Sequence, residues 1–354
     1  MPATLYKGAM MKALVLQEYN KLVVEDVPIP EYARHEVLVR VRSVGICGSD
    51  VHGFDGTSGR RIPPVIMGHE IAGEIAELGS DVKGWKTGDR VTFDSTIYPL
   101  DDWFSRRGQY NLSDGRTVLG VSCGEFRRDG GFAEYVVIPA YMLYRIPDEV
   151  SFDQAAMTEP LSVALHAVAI TPVELGSVAV VIGGGVIGLF IASVLGSSSG
   201  CAEVIISDIQ ESRRELARRL GFTHVVDPTR QDLRRSCEEL TAGRGADAAF
   251  EAVGIEATIS QAIEIVRKGA TVTLVGNLTS RAEFPLQRVV SGEIRLQGSC
   301  AICGEYPAAL ALIKNREIDL TPFISRTAPL EEAPELFDRL HSGDPDLVKV
   351  ILHP

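Results

Sequence analysis

Val178-Ala179-Val180-Val181-Ile182 runs directly into Gly183-Gly184-Gly185-Val186-Ile187-Gly188, and the reading of the whole chain turns on that junction. The first five residues are apolar and mostly β-branched, which predicts a short buried strand. The next six fit G-x-G-x-x-G and open an apolar helix candidate over residues 186–195. A second β-rich run, residues 203–207, ends on Asp208, twenty residues after Gly188. Each piece answers a physical need. Gly183 allows the tight turn, Gly185 lets backbone N–H groups approach a pyrophosphate, and Gly188 permits close helix–strand packing. Val186 and Ile187 belong to the helix N-terminus, whose partial positive charge suits phosphate. Asp208 is placed to take the ribose hydroxyls of an adenosine half. Its carboxylate would repel a 2′-phosphate, so NAD is expected over NADP. A lone glycine fingerprint is weak evidence, whereas strand, turn, helix, strand and acid in this order point specifically to a dinucleotide.

A competing reading is a membrane span, because residues 175–202 carry no charge and are long enough to cross a bilayer. Three consecutive glycines and a serine-rich end instead divide the stretch into a strand and a helix, both buried as in a parallel sheet covered on its two faces. From Ser177 onward, strand and helix patterns alternate: 211–220, 224–226, 233–240, 248–250, 256–266 and 271–275. This predicts a doubly wound parallel sheet, α/β in class. Val275-Gly276-Asn277 closes a strand where open sheets bind ligands, and its backbone is expected to line a nicotinamide pocket.

The half before that region is different. Runs at 12–17, 37–43, 70–78, 90–93 and 132–138, separated by turn residues, read as an all-β barrel or sandwich. The last sixty residues are ambiguous by pattern. At 354 residues the chain is too long for one ordinary core, and about two domains are expected. Residues 1–10 precede Met11 and read as an alternative start or an appended segment. With 45% apolar and 23% charged residues the composition is that of a soluble globular protein, and a net charge of −12 argues against a nucleic-acid surface. Six cysteines at 47, 123, 201, 237, 300 and 303, without compact spacing, predict no disulfide framework and a cytoplasmic location.

Cys47, His69, Glu70 and Glu159 supply the thiolate, imidazole and carboxylate donors that zinc prefers. Their separations form no local metal motif. Each also has an ordinary reading: a small buried hydrophobe, a satisfied core histidine, a solvated carboxylate.

The strings Cys47-Gly48-Ser49-Asp50-Val51-His52, Gly68-His69-Glu70-Ile71-Ala72-Gly73 and Glu159-Pro160-Leu161-Ser162-Val163, with Gly183 to Gly188, occur in one order. Together they resemble the zinc-containing medium-chain dehydrogenase/reductase superfamily over nearly the whole chain from Met11, nearest its polyol (sorbitol-like) branch. The resemblance implies a GroES-like catalytic domain over 1–158, a Rossmann domain over 159–299, a C-terminal return over 300–354, and a homotetramer. It implies Cys47 and His69 as zinc ligands. Of Glu70 and Glu159, one would ligate and the other hold the zinc-bound water. Ser49 would take the substrate proton and pass it towards His52, and Arg213 would lie near the adenosine. The physical logic is independent of family: a Zn²⁺ Lewis acid, a hydroxyl two residues from a ligand as proton acceptor, and a nicotinamide to take hydride.

Three departures qualify the resemblance. The four cysteine positions of a second, structural zinc are here Pro99, Asp102, Ser105 and Ser113, none able to supply a thiolate, so that ion is expected to be absent. Trp103, Phe104 and Tyr110 would hold the lobe by packing. An arginine–tyrosine pair of polyol pockets is replaced by Ala301 and Ile302, and a pocket tyrosine by Gly53. Fewer buried polar groups leave a long sugar alcohol with fewer partners, so the expectation is a secondary alcohol of polyol class, not a named sugar. An L-threonine dehydrogenase or other alcohol dehydrogenase, or a non-catalytic cofactor-binding protein on the same scaffold, are the alternatives.

Overall fold

The computed structural model describes Tyr6 and residues 8–123, 126–198 and 200–354. Those residues form two compact units. The first takes the described residues through Glu159 together with Ile302–Asn315 and Ile324–Pro354. The second takes those from Pro160 to Ala301 together with Arg316–Phe323. Against the expected boundaries, Glu159 groups with the first unit and the C-terminal segment is split. Its short piece joins the second unit because buried Phe323 packs against Phe190, with ring centroids 4.5 Å apart.

In the first unit the strand Glu36–Ile46 is the hub, rich in valine and buried along most of its length. It pairs antiparallel with Tyr135–Pro139, Glu70–Leu78 and Lys349–His353. Extending outward through Arg90–Phe93 and Leu143–Arg145 on one side and Ile324–Pro329 on the other, these make a seven-stranded sheet. A three-stranded sheet of Lys21–Pro28, Met10–Glu18 and Val65–Ile66 accompanies it, and one apolar core spans both. Register here positions chemistry, because Gly45 lies opposite Glu70 and Ile46 opposite Val350. A Cβ on Gly45 would stand 2.1 Å from Glu70 Oε2, so the glycine leaves room for that carboxylate.

The second unit is a six-stranded, all-parallel sheet in the order His224–Val226, Glu203–Ser207, Val178–Ile182, Ala246–Glu251, Val266–Leu274, Arg295–Gly298. Strand Val178–Ile182 is buried at every position, as a strand covered on both faces must be. The uncharged stretch resolves into that strand and helix Val186–Ser198, and no helix among the described residues is long and apolar enough to cross a membrane. Strand Val266–Leu274 ends one residue short of Val275, leaving Val275-Gly276-Asn277 just beyond its C-terminal end.

Candidate active site

The strand Glu36–Ile46 ends where helix Gly48–Phe54 begins, and Cys47 is the residue between them. Asp50, in the first turn, accepts the Cys47 backbone N–H at 3.2 Å, which fixes the start of the helix and with it the thiol. Glu70 opens the neighbouring strand Glu70–Leu78, and His69 immediately precedes it. Donor atoms of Cys47, His69 and Glu70 all lie within 4.8 Å of one another, the single such group of three or more among the described residues. Buried Glu159, in the first turn of helix Thr158–Ala169, is not part of that group, although its charge interacts with His69 and Glu70.

The surroundings suit a cation. His69 turns Nε2 towards Ser49 Oγ, at 3.5 Å, and Nδ1 towards Asp50 Oδ1, at 3.4 Å. The second contact is at ion-pair distance without hydrogen-bond alignment, so a buried imidazole nitrogen is incompletely satisfied. A carboxylate behind one ring nitrogen orients the other for a metal. Burial alone would favour neutral His69, but Asp50 and Cys47 reverse that and hold its pKa well above the ordinary value. The anionic neighbours that favour a proton on this ring would equally favour a metal cation in its place, which a neutral His69 would ligate. Burial pushes Glu159 up to about 8, and the acid has no hydrogen bond or ion pair among the described residues. A buried carboxylate without a partner is costly unless something binds it. Glu70 differs: Lys349 Nζ donates to its two oxygens at 2.8 and 2.7 Å and to Ile46 O at 3.0 Å.

In the second unit the glycine turn has the expected character with one change of reason. Gly183 has φ +102°, and a Cβ on Gly185 would meet open space, as an approach path for a phosphate requires. A Cβ on Gly188 would fall 1.8 Å from Gly183 O, so Gly188 packs the helix on the turn itself before it touches the strand side chain Val181. Val186 and Ile187 form the first turn of Val186–Ser198, whose leading N–H groups have no intrahelical acceptor. Asp208 follows strand Glu203–Ser207, and its carboxylate accepts Gly184 N–H at 2.7 Å, Gln210 N–H at 2.7 Å and Arg213 Nη1 at 3.4 Å. Val275 and Gly276 donate their N–H groups to Glu251 O, and Gly276 lies tight against Gly254. His52 is exposed on its helix.

Three groups around Cys47, His69 and Glu70 were not singled out from the sequence: Asp50, Lys349 and Arg61. Asp50 is fully buried and receives Arg61 Nη2 at 2.9 Å. Burial would raise its pKa, but His69 and Arg61 more than compensate and hold it ionised. Asp50 could have been suspected from its place inside the Cys47–His52 string. Lys349 and Arg61 depend on long-range pairing. In the lobe where a structural zinc was expected to be absent, Asp102 accepts the Ser105 N–H at 2.6 Å and the Ser113 hydroxyl. Trp103 meets Phe104 edge-on at 4.9 Å and carries Arg107 over its ring, while Tyr110 stacks on Tyr98 at 4.2 Å and donates to buried Asp94 at 2.7 Å.

Known families bear on this arrangement. Residues 33–148 match the alcohol dehydrogenase GroES-like domain and residues 186–315 the zinc-binding dehydrogenase domain. Sorbitol dehydrogenase of Bacillus subtilis is 32% identical over 97% of this chain and 97% of its own length. D-xylulose reductase of Saccharomyces cerevisiae is 32% identical over 96% of this chain and 97% of its own. A zinc-binding dehydrogenase structure from Sinorhizobium meliloti, solved bound to NADP, superposes with a TM-score of 0.88 at 32% identity, covering 98% and 99% of the two chains. Similarity of this extent makes the chain a member of the zinc-containing medium-chain dehydrogenase/reductase superfamily, in its polyol dehydrogenase branch: an alcohol dehydrogenase that works with zinc and a nicotinamide cofactor.

Proposed function

We propose that the protein oxidises a secondary hydroxyl of a small polyol or related alcohol to a ketone, with NAD as the oxidant and one zinc ion per chain. The observation that carries this is the convergence of Cys47, His69 and Glu70 beside a buried, unpartnered Glu159. When bound, zinc supplies Lewis-acid polarisation of the hydroxyl and NAD supplies the hydride acceptor. Cys47, His69 and Glu70 would hold the ion, and Glu159 would present its carboxylate to the solvent or alcohol beside it. Asp50 keeps the His69 ring oriented, and Lys349 balances the charge of Glu70. Ser49, two residues from Cys47, receives the substrate proton, and exposed His52 on the same short helix returns it to solvent.

NAD over NADP is supported by Asp208, whose carboxylate is pinned by two backbone N–H groups and offers no room for a phosphate's charge. The S. meliloti structure contains NADP, which makes cofactor preference a point to measure. Gly53, Ala301 and Ile302, in place of polar pocket residues, support a short alcohol over a long sugar alcohol.

The test is NADH formation from a panel of polyols and diols. It should disappear after dialysis against a chelator and return with zinc. Turnover unaffected by verified metal removal would overturn the zinc assignment.

A further inference from the structure

The chemistry proposed above leaves one buried charge unused. Arg61 is 3% exposed and lies with Nη2 2.9 Å from Asp50 Oδ1 and 3.4 Å from Ser49 Oγ, while its Nε is buried without a hydrogen-bond partner. The backbone around it is clamped: Ser122 N–H donates to Arg60 O at 2.9 Å, and Ile62 N–H donates to Ser122 Oγ at 2.7 Å. The stem crosses Gly53, where a Cβ would stand 2.2 Å from Arg61 Cγ and 3.0 Å from its Cβ. Thus Gly53, the position at which a pocket tyrosine is missing, is the position that admits the arginine.

A buried guanidinium–carboxylate pair adds little stability over a well-packed apolar replacement of the same volume. What distinguishes this pair is its neighbours. Asp50 backs the ring of His69, and Arg61 reaches the oxygen of Ser49. We propose that Arg61 is a positioning residue of the alcohol-oxidising site: one guanidinium nitrogen, carrying two N–H groups, holds Asp50 behind His69 and fixes the rotamer of the Ser49 hydroxyl beside a permanent positive charge. The proposal rests on the dehydrogenase reading above. It assigns Arg61 no contact with substrate. Lysine is not equivalent, because its shorter stem ends before the position of Nη2 and its rotatable ammonium lacks the fixed orientation that a rigid guanidinium gives the two N–H groups directed at Asp50 and Ser49.

The test uses the full-length zinc-loaded protein and the variants Arg61→Lys and Arg61→Gln, with zinc affinity read by chelator competition. Steady-state kinetics in light and heavy water give the second readout. Arg61→Gln should weaken zinc binding about tenfold and lower kcat about tenfold or more, with an enlarged solvent isotope effect and little change in KM. Arg61→Lys should recover zinc affinity but not kcat. If Arg61→Gln does not fold, Gly53→Ala displaces the same guanidinium without removing it and should show the same pattern. Folded variants with parental zinc affinity, kcat and isotope effect overturn the proposal. So does a loss confined to melting temperature, which is what a purely structural pair would give. A parent that binds no zinc and forms no NADH defeats the dehydrogenase reading itself, whereas a competent parent with unaffected variants defeats only the role of Arg61.

Discussion

In the proposed function the choice of cofactor falls to a single carboxylate, Asp208. Backbone amides of Gly184 and Gln210 hold its two oxygens, and half-exposed Arg213 pairs with one of them at 3.4 Å. Asp208→Ser removes both the acceptor for a 2′-hydroxyl and the repulsion of a 2′-phosphate. The ratio of kcat/KM for NAD over NADP should fall by about tenfold or more, roughly 1.4 kcal/mol. An unchanged ratio in steady-state kinetics would remove Asp208 from the cofactor site. Asp94 is a second informative residue. Burial pushes its pKa up to about 6, against hydrogen bonds from Thr96 and Tyr110 that favour ionisation. A folded-state pKa above the unfolded one means that the native state binds the proton more tightly, so stability is lost as pH rises from about 4 towards 7. The ceiling is about 3 kcal/mol. In Asp94→Asn that pH-dependent loss should vanish, whatever the variant's absolute stability. Denaturant titrations at pH 4 and pH 7 that show the same pH dependence in parent and variant would refute it.

At the scale of elements, the lobe around residues 99–118 shows a polar clasp at two of the positions, Asp102 and Ser113, that the family resemblance associates with a second metal. The Asp102 carboxylate ties Ser105 to Ser113, and Tyr110 anchors the lobe to Asp94. Asp102→Ala should loosen this lobe locally, because it removes the shared acceptor of the Ser105 N–H and the Ser113 hydroxyl. Hydrogen exchange should quicken there, with zinc content unchanged. Loss of zinc on this substitution would mean that the lobe does hold a metal. The turn at Gly183 to Gly188 was legible in the sequence because everything it needs is local: a strand, a glycine for positive φ, a helix start and an acid within one βαβ unit. Gly188 does bring its helix close to strand residue Val181, with a Cβ there 3.2 Å from Val181 Cγ1, but the tighter contact is with the Gly183 carbonyl five residues back.

The molecule as a whole was legible to the depth at which ordered motifs carry information. Cys47, His69, Glu70 and Glu159 could be singled out by donor chemistry and family likeness, but the convergence of Cys47, His69 and Glu70 depends on strand register, with Gly45 opposite Glu70 and Ile46 opposite Val350. Spacing along a chain does not encode that. The same register delivers Lys349 to Glu70 across 279 residues, and no local pattern announced it. Arg61 escaped notice for a related reason: its partners lie on the helix before it, and the enabling feature is the missing side chain of Gly53.

The claim beneath the whole account is that this donor set holds a single catalytic zinc, and elemental analysis of the purified protein and of Cys47→Ser tests it most directly. The account predicts about one zinc per chain in the parent, near zero in the variant, and NADH formation lost in parallel. Two zinc ions per parent chain, or a Cys47→Ser protein that keeps its metal and its turnover, would contradict it.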